Sequence, residues 1–145
     1  MKLKALFLVA TLKRVPKLSH TLLLCEFLAK QFEEYDVESS FVRLIDHNIK
    51  PGVYIEVGAD AWPGIYQQIL ESDIVIFATP IWWANQSSLL QRVIERLDEV
   101  HDELMKKGKS VLANKVAGIV ITGDSDGALH IIGNVSTFLF NMPLT

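Results

Sequence analysis

The chain has 145 residues and a mass of 16.3 kDa, room for one domain with one core and too little for two ordinary ones. Half of the residues are hydrophobic and 21% are charged, which excludes a disordered chain, and a net charge of -3 with a pI of about 5.8 supplies no basic field for non-specific nucleic-acid binding. The one cysteine, Cys25, excludes an internal disulfide and fits a reducing cytoplasm, and the uncharged apolar runs fall short of the roughly 18–20 residues that cross a bilayer.

Residues 2–10 carry Leu3, Ala5, Leu6, Phe7, Leu8 and Val9 and are apolar on both faces, as expected of a central parallel strand covered by helices. Lys2 and Lys4 ahead of this run imitate a signal peptide, but Lys13 and Arg14 stand where a small-residue cleavage site belongs, so a buried first strand is expected. Residues 11–18 read as a basic loop around Pro16. Ser19 is placed to cap a helix over 20–34. A second strand follows at 37–44, a connection with Pro51, Gly52 and Gly58 at 45–60, and a shorter helix at 61–71.

Residues 73–78 (DIVIFA) are the second strand of the doubly buried type, expected to break at Thr79-Pro80. Ser88 and Gln91 match a capping box. The helix behind them is expected to run to Gly108, with Leu89, Leu90, Val93, Ile94, Leu97, Val100 and Leu104 on its apolar side and Gln91, Arg92, Glu95, Arg96, Asp98 and Glu99 on the other. Residues 115–122 read as a third strand of the buried type, 123–128 as a polar turn in which Asp126 caps the next helix, and 129–140 as that helix. The sequons at Asn85 and Asn134 are read as coincidence. Strands alternating with helices imply right-handed crossovers and a parallel sheet with helices on both faces. Ligands of such sheets bind beyond the carboxyl ends of the strands, where the strand order reverses, so three loops are singled out.

The first loop, TLKRVPKLSHT, holds the hydroxyls of Thr11, Ser19 and Thr21, the cations Lys13, Arg14 and Lys17, and a helix N-terminus. Free N–H groups and the positive end of the dipole make such a terminus an anion site; the plainer account is a solvated loop whose Ser19 only caps. It is neither a Walker loop nor a GxGxxG fingerprint. The second loop, ATPIWWANQSS, sets Trp82 and Trp83 at the mouth of the sheet as a flat wall for a planar heterocycle, with Thr79 and Asn85 near its polar edge. The alternative is that the indoles pack against helices or fill a subunit contact. The third, TGDSDGA, has Gly123 and Gly127 for close backbone approach. Asp124 and Asp126 do not meet the EF-hand order, and no metal site is expected. His20 and His130 follow candidate ligand loops, whereas His101 reads as solvated and no histidine belongs to a triad or an HExxH pair.

Together the three loops resemble the flavodoxin-like NADPH-dependent FMN reductases, the flavin oxidoreductases that include quinone reductases. The similarity runs over nearly the whole chain and is most specific at 73–96, where an apolar strand leads into Thr79, Pro80, Ile81, Trp82, Trp83, Ala84 and Asn85 and then an apolar helix. The resemblance implies that this loop lies along the isoalloxazine ring, that Ser19, His20 and Thr21 stand at the positions that grip the FMN phosphate, helped by Thr11 and by Lys13, Arg14 or Lys17, and that Gly123, Asp124 and Gly127 lie beside the flavin. The start of the first loop lacks the family's usual glycine and serine, and the third loop is more acidic than usual.

What it implies is one FMN-binding domain over residues 1–145, a flavodoxin-like three-layer α/β sandwich with parallel strand order 2-1-3-4-5 and no side chain required as catalytic acid or base. Hydride would pass from NAD(P)H through bound FMN to a small acceptor such as a quinone, in a cytoplasmic homodimer or homotetramer without nucleic-acid partner or membrane span. A flavodoxin-type electron carrier and a cofactor-free module of the same fold are the alternatives. Only four strands are legible, so the fifth is expected either beyond Thr145 or from another chain covering the edge of 115–122.

Overall fold

The computed structural model describes residues 2–124 and 126–144. In chain order it contains strand β1 (Leu3–Val9), helix α1 (His20–Glu33), strand β2 (Val37–Arg43), a 3-10 turn (Leu44–Asp46) and helix α2 (Trp62–Glu71). Strands β3 (Ile74–Trp82) and β4 (Asn85–Gln86), helices α3 (Ser88–Arg96) and α4 (Asp98–Lys107), strand β5 (Val116–Thr122) and helix α5 (Ala128–Asn141) follow.

The parallel strands stand in the order β2-β1-β3-β5, and the fifth strand, β4, folds back antiparallel on the end of β3. This is the expected α/β sheet, with its fifth strand in an unexpected place. Among the described residues β5 pairs with β3 alone, and its Val116 is 52% exposed.

β1 shows the strict alternation of a strand covered twice. Leu6, Leu8 and Ala10 join Val75, Phe77, Ile65, Ile69, Leu90, Val93, Ile131 and Val135 in the larger core, built from α2, α3, α4 and α5. Ala5, Phe7 and Val9 join Ile76, Ala78 and the Cys25 and Ala29 of α1 on the opposite face. Each fully buried Leu, Ile, Val or Phe of this kind contributes roughly 1.5–3 kcal/mol, and these contacts hold the strand ends in register.

Four local expectations are corrected. β3 does not break at Thr79-Pro80 but continues to Trp82, because Ile81 and Trp82 find antiparallel partners in Gln86 and Asn85. Ser87, not Ser88, caps α3, accepting the Leu89 N–H at 3.3 Å, while the Gln91 side chain bonds Gln86 and Glu95. The long helix is two helices divided at Leu97, whose N–H bonds the carbonyls of both Val93 and Ile94. Gly127, not Asp126, is the N-cap of α5, and no side chain caps it.

Arg96 is the largest departure. Helical spacing puts it on the solvent side with Arg92 and Glu95, yet it is completely buried. Its guanidinium pairs with the buried Asp60 and donates to the carbonyls of Lys50 (2.9 Å), Tyr54 (2.7 Å) and Ile55 (2.7 Å), over the Trp62 ring at 5.6 Å. Asp60 also accepts the N–H groups of Lys50 and Trp62, both at 3.1 Å. Burial alone would raise the Asp60 carboxyl; the Arg96 bond and the two backbone donors outweigh it and hold the carboxyl below its usual range. Fourteen residues without regular structure, 48–61, are thereby tied to α3.

Candidate functional site

The first, second and third loops converge on one cavity of ≈ 290 Å³ at the carboxyl ends of β1, β3 and β5. Thr11, Leu12 and Lys13 leave β1 to form one wall. Ser19, His20 and Thr21 bring the start of α1; Pro80, Ile81 and Trp82 bring the end of β3; Thr122 and Gly123 bring the end of β5. The strand order reverses between β1 and β3, with β2 on one side and β3 on the other, so the cavity sits at the switch point where open α/β sheets bind ligands. Cavities of ≈ 430 Å³ against α2 and α4 and of ≈ 650 Å³ at residues 107–114 are larger, but neither collects the strand ends.

The start of α1 is built to face an anion. Ser19 accepts the Leu22 N–H on Oγ, and its carbonyl accepts the Leu23 N–H. The N–H groups of His20 and Thr21 therefore precede the intrahelical ladder, and the Ser19 O–H keeps its proton to donate. Ser19 and Thr21 are almost fully buried. Thr21 Oγ1 lies 2.7 Å from Thr122 Oγ1, which fastens the helix start to β5. Lys13 N–H bonds Thr11 Oγ1 at 3.2 Å and leaves the lysine side chain exposed.

The opposite wall is a hairpin. Trp83 and Ala84 both take the left-handed conformation, with φ of 49° and 62°, as a two-residue turn of the twist-matched type demands. Neither is glycine, so the turn carries strain of roughly 1–2 kcal/mol per residue. It is held from three sides. The buried Thr79 hydroxyl bonds the Pro80 carbonyl and accepts the Ser87 N–H, both at 2.9 Å. Asn85 donates to the Trp83 carbonyl at 3.0 Å and accepts from His130 Nε2 of α5 at 3.2 Å. Gly127, at φ +98°, presses on Ala84 so closely that a Cβ there would lie 2.4 Å from Ala84 Cα.

Two of the sequence candidates are thus braces of the wall: Thr79 and Gly127. Asn85 and Ala84 belong to the same hairpin and, like Asp124, do not line the cavity. The two tryptophans separate: Trp82 lines the cavity and is half exposed, whereas Trp83 is 96% exposed. Thr11, Lys13, Ser19, His20, Thr21, Pro80, Ile81, Trp82 and Gly123 come together as the loops implied. Leu12 and Thr122 were not legible as site residues. Thr122 could have been noticed as the last polar residue of a strand that ends beside the other two loops. Cys25 faces the α1 core, where burial pushes its thiol up to about 12.

The cavity's features fit a flavin phosphate: unladdered helix donors and hydroxyls on one side, an aromatic wall on the other. The chain is 36% identical over 146 residues to an 8-demethyl-8-aminoriboflavin-5'-phosphate synthase of Streptomyces davaonensis, a match over 93% of this chain and 56% of the relative. It is 38% identical over 138 residues to a divalent metal cation transporter MntH of Mycobacterium bovis, over 92% of this chain but 20% of the relative. The chain therefore spans about half, or less, of the curated relatives it matches.

Among solved structures, RosB with bound 8-demethyl-8-formylriboflavin-5'-phosphate superposes with a TM-score of 0.86 at 34% identity, covering 99% of this chain and 61% of that one. An NADH:FMN oxidoreductase in its apo form shares the fold at 19% identity, with a TM-score of 0.74 over 99% of this chain and 71% of that one. No helix among the described residues is long and apolar enough to cross a membrane. The profile of one family covers residues 3–143, and on that match the chain belongs to the NADPH-dependent FMN reductases.

Proposed function

We propose that this chain binds FMN in the cavity at the β1/β3 switch point and serves an oxidoreductase that passes hydride from NAD(P)H to a small acceptor such as a quinone. The observation that carries the reading is the pairing of the α1 terminus with Trp82 across one cavity. Bound FMN supplies the hydride chemistry. The chain supplies the rest. Ser19, Thr21 and the N–H groups of the first turn of α1 hold the phosphate, with Lys13 adding charge. Trp82 stands against the ring and excludes water from that side, while Ile81 and Gly123 shape the floor. The relative of known structure binds a riboflavin 5'-phosphate derivative, which supports the ligand class. The buried, unreactive thiol fits a cytoplasmic protein, and the exposed apolar side chains of Trp83, Leu129 and Phe140 fit a homo-oligomer.

Titration with FMN and with riboflavin, followed by flavin fluorescence, tests the reading. FMN is expected to bind more tightly by about ten- to a hundredfold for each charge-assisted hydrogen bond made to its phosphate. Trp82→Ala should weaken binding and restore flavin emission, and Trp83→Ala should do neither. Equal affinities for FMN and riboflavin overturn the phosphate assignment.

A second reading is favoured by the Streptomyces relative, whose name makes a modified riboflavin phosphate its product: the flavin is the substrate. Mass analysis of the flavin recovered after aerobic incubation with NADPH and an amino donor separates the two, since a hydride carrier returns FMN unchanged.

A further inference from the structure

Thr122 is the last residue of β5 and lines the candidate flavin cavity, but it takes no part in the binding proposed above. The fold fixes its place. β5 runs in parallel register with β3, with Thr122 opposite Pro80. Gly123 then turns out of the strand at φ +135°, so close to β3 that a Cβ there would lie 3.1 Å from Ile81 Cβ. Thr21 is fixed separately, in the first turn of α1, where it is 3% exposed. Two elements 101 residues apart in sequence thus set the 2.7 Å between the hydroxyl oxygens, the length of a well-formed O–H···O bond.

Two hydroxyls at that distance place one proton between them and leave one free. If Thr21 donates, the free proton is on Thr122; if Thr122 donates, the Thr21 O–H is left to donate elsewhere. Among the described residues neither hydroxyl bonds any other protein group, so the protein alone does not choose. An anion does. A phosphate dianion at the start of α1 accepts and cannot donate, and Thr21 stands there beside the Ser19 hydroxyl and the free N–H groups. It selects the arrangement in which Thr21 turns its proton outward and accepts that of Thr122. The chain from Thr122 O–H to Thr21 O–H to phosphate oxygen then runs one way, each bond polarising the next, and the buried Thr21 oxygen keeps a donor. Resting on the FMN reading above, we propose that Thr122 is a positioning residue: it donates to Thr21 Oγ1 and so aims the Thr21 O–H at the flavin phosphate, without touching that phosphate itself. A neutral hydroxyl in the phosphate's place, as in riboflavin, both gives and takes hydrogen bonds and gains far less from the chain.

Titrations of FMN and of riboflavin into wild type, Thr122→Val and Thr122→Ser test this without turnover. Thr122→Val keeps the shape and loses the hydroxyl. It is expected to shrink the preference for FMN over riboflavin about three- to tenfold by weakening FMN alone, and its unchanged riboflavin affinity shows that the variant is folded. Thr122→Ser restores the hydroxyl and should restore the preference. In a Thr21→Val background, Thr122→Val should cost FMN affinity nothing further, because the donor it aims is gone. A preference that Thr122→Val keeps overturns the inference, as does a Thr122→Ser protein that behaves like the valine variant, or full additivity with Thr21→Val. A parallel fall in affinity for both flavins overturns it too, by making the pair a mere fastening of α1 to β5. Equal affinities of the wild type for the two flavins bring down the phosphate reading and this inference with it, whereas a wild-type preference that survives in Thr122→Val brings down the inference alone.

Discussion

Replacing Gly127 with alanine tests whether the third loop positions the hairpin wall. The new Cβ would lie 2.4 Å from Ala84 Cα and 2.8 Å from its carbonyl carbon and oxygen. To restore an ordinary carbon–carbon contact of ~3.5 Å, the two backbones must part by about 1 Å. Alanine at φ +98° adds conformational strain of about 1–2 kcal/mol, and crowding of this kind costs about 1–3 kcal/mol. Because the hairpin can retreat, the stability loss is expected in the lower half of that sum, about 2–3 kcal/mol. The retreat pulls Asn85 from His130 and moves Trp82. An aromatic wall is worth about 0.5–1.5 kcal/mol beyond its buried area, so FMN should bind up to about tenfold more weakly. Urea unfolding and flavin fluorescence titration read the two effects. Gly133→Ala is the control: that glycine lies inside α5, and nothing stands within 4 Å of the place its new methyl group would take, so alanine should add about 1 kcal/mol of stability and leave flavin binding alone. A Gly127→Ala protein as stable as the wild type, with unchanged FMN affinity, would refute the reasoning.

Ala84→Gly should relieve left-handed strain at the turn, and after the added chain entropy is counted it should raise the urea midpoint by an amount worth about 0.5–1 kcal/mol; a lowered midpoint contradicts the strain. Asp60→Asn leaves the Arg96 charge buried without its partner and should cost about 3–5 kcal/mol at pH 7. Because the folded Asp60 carboxyl is held below its usual range, its contribution is complete above the unfolded value near ~3.9 and lost as pH falls through the folded one, so the gap between wild type and variant should narrow in melts run at pH 3; a gap that widens there overturns the assignment. Cys25, with its thiol pushed up to about 12, should resist a chromogenic disulfide reagent at pH 8 until urea unfolds the chain, and rapid native labelling would place it elsewhere.

The parallel sheet was legible because β1 and β3 are apolar on both faces, a pattern that few other settings produce. The three loops were legible as a group once the strand ends were located, since topology alone brings them to one edge. The hairpin was not. Its turn residues, Trp83 and Ala84, lack the Asn-Gly or Gly signature of left-handed turns, and the conformation is imposed by Gly127 and Asn85 from outside. Arg96 was misread for a related reason. Periodicity assigns a residue to a helix face but cannot tell that 48–61 will cover that face. The division at Leu97 has no proline or glycine to announce it. Trp82 and Trp83 could be identified as a pair but not told apart, since which indole turns toward the cavity depends on the turn between them and β4.

The Arg96 clamp also sets an order of events during synthesis. The carbonyls it gathers belong to residues made 41 to 46 positions earlier, and its carboxylate partner to one made 36 positions earlier. At roughly 5–20 residues per second, the segment 48–61 leaves the ribosome several seconds before the side chain that will organise it. In that interval β1 and β2 can pair, but their connection to α2 has no internal ladder to settle into and stays open to proteases. A nascent chain stalled before α3 emerges would be cut within 48–61, and one released after it would not.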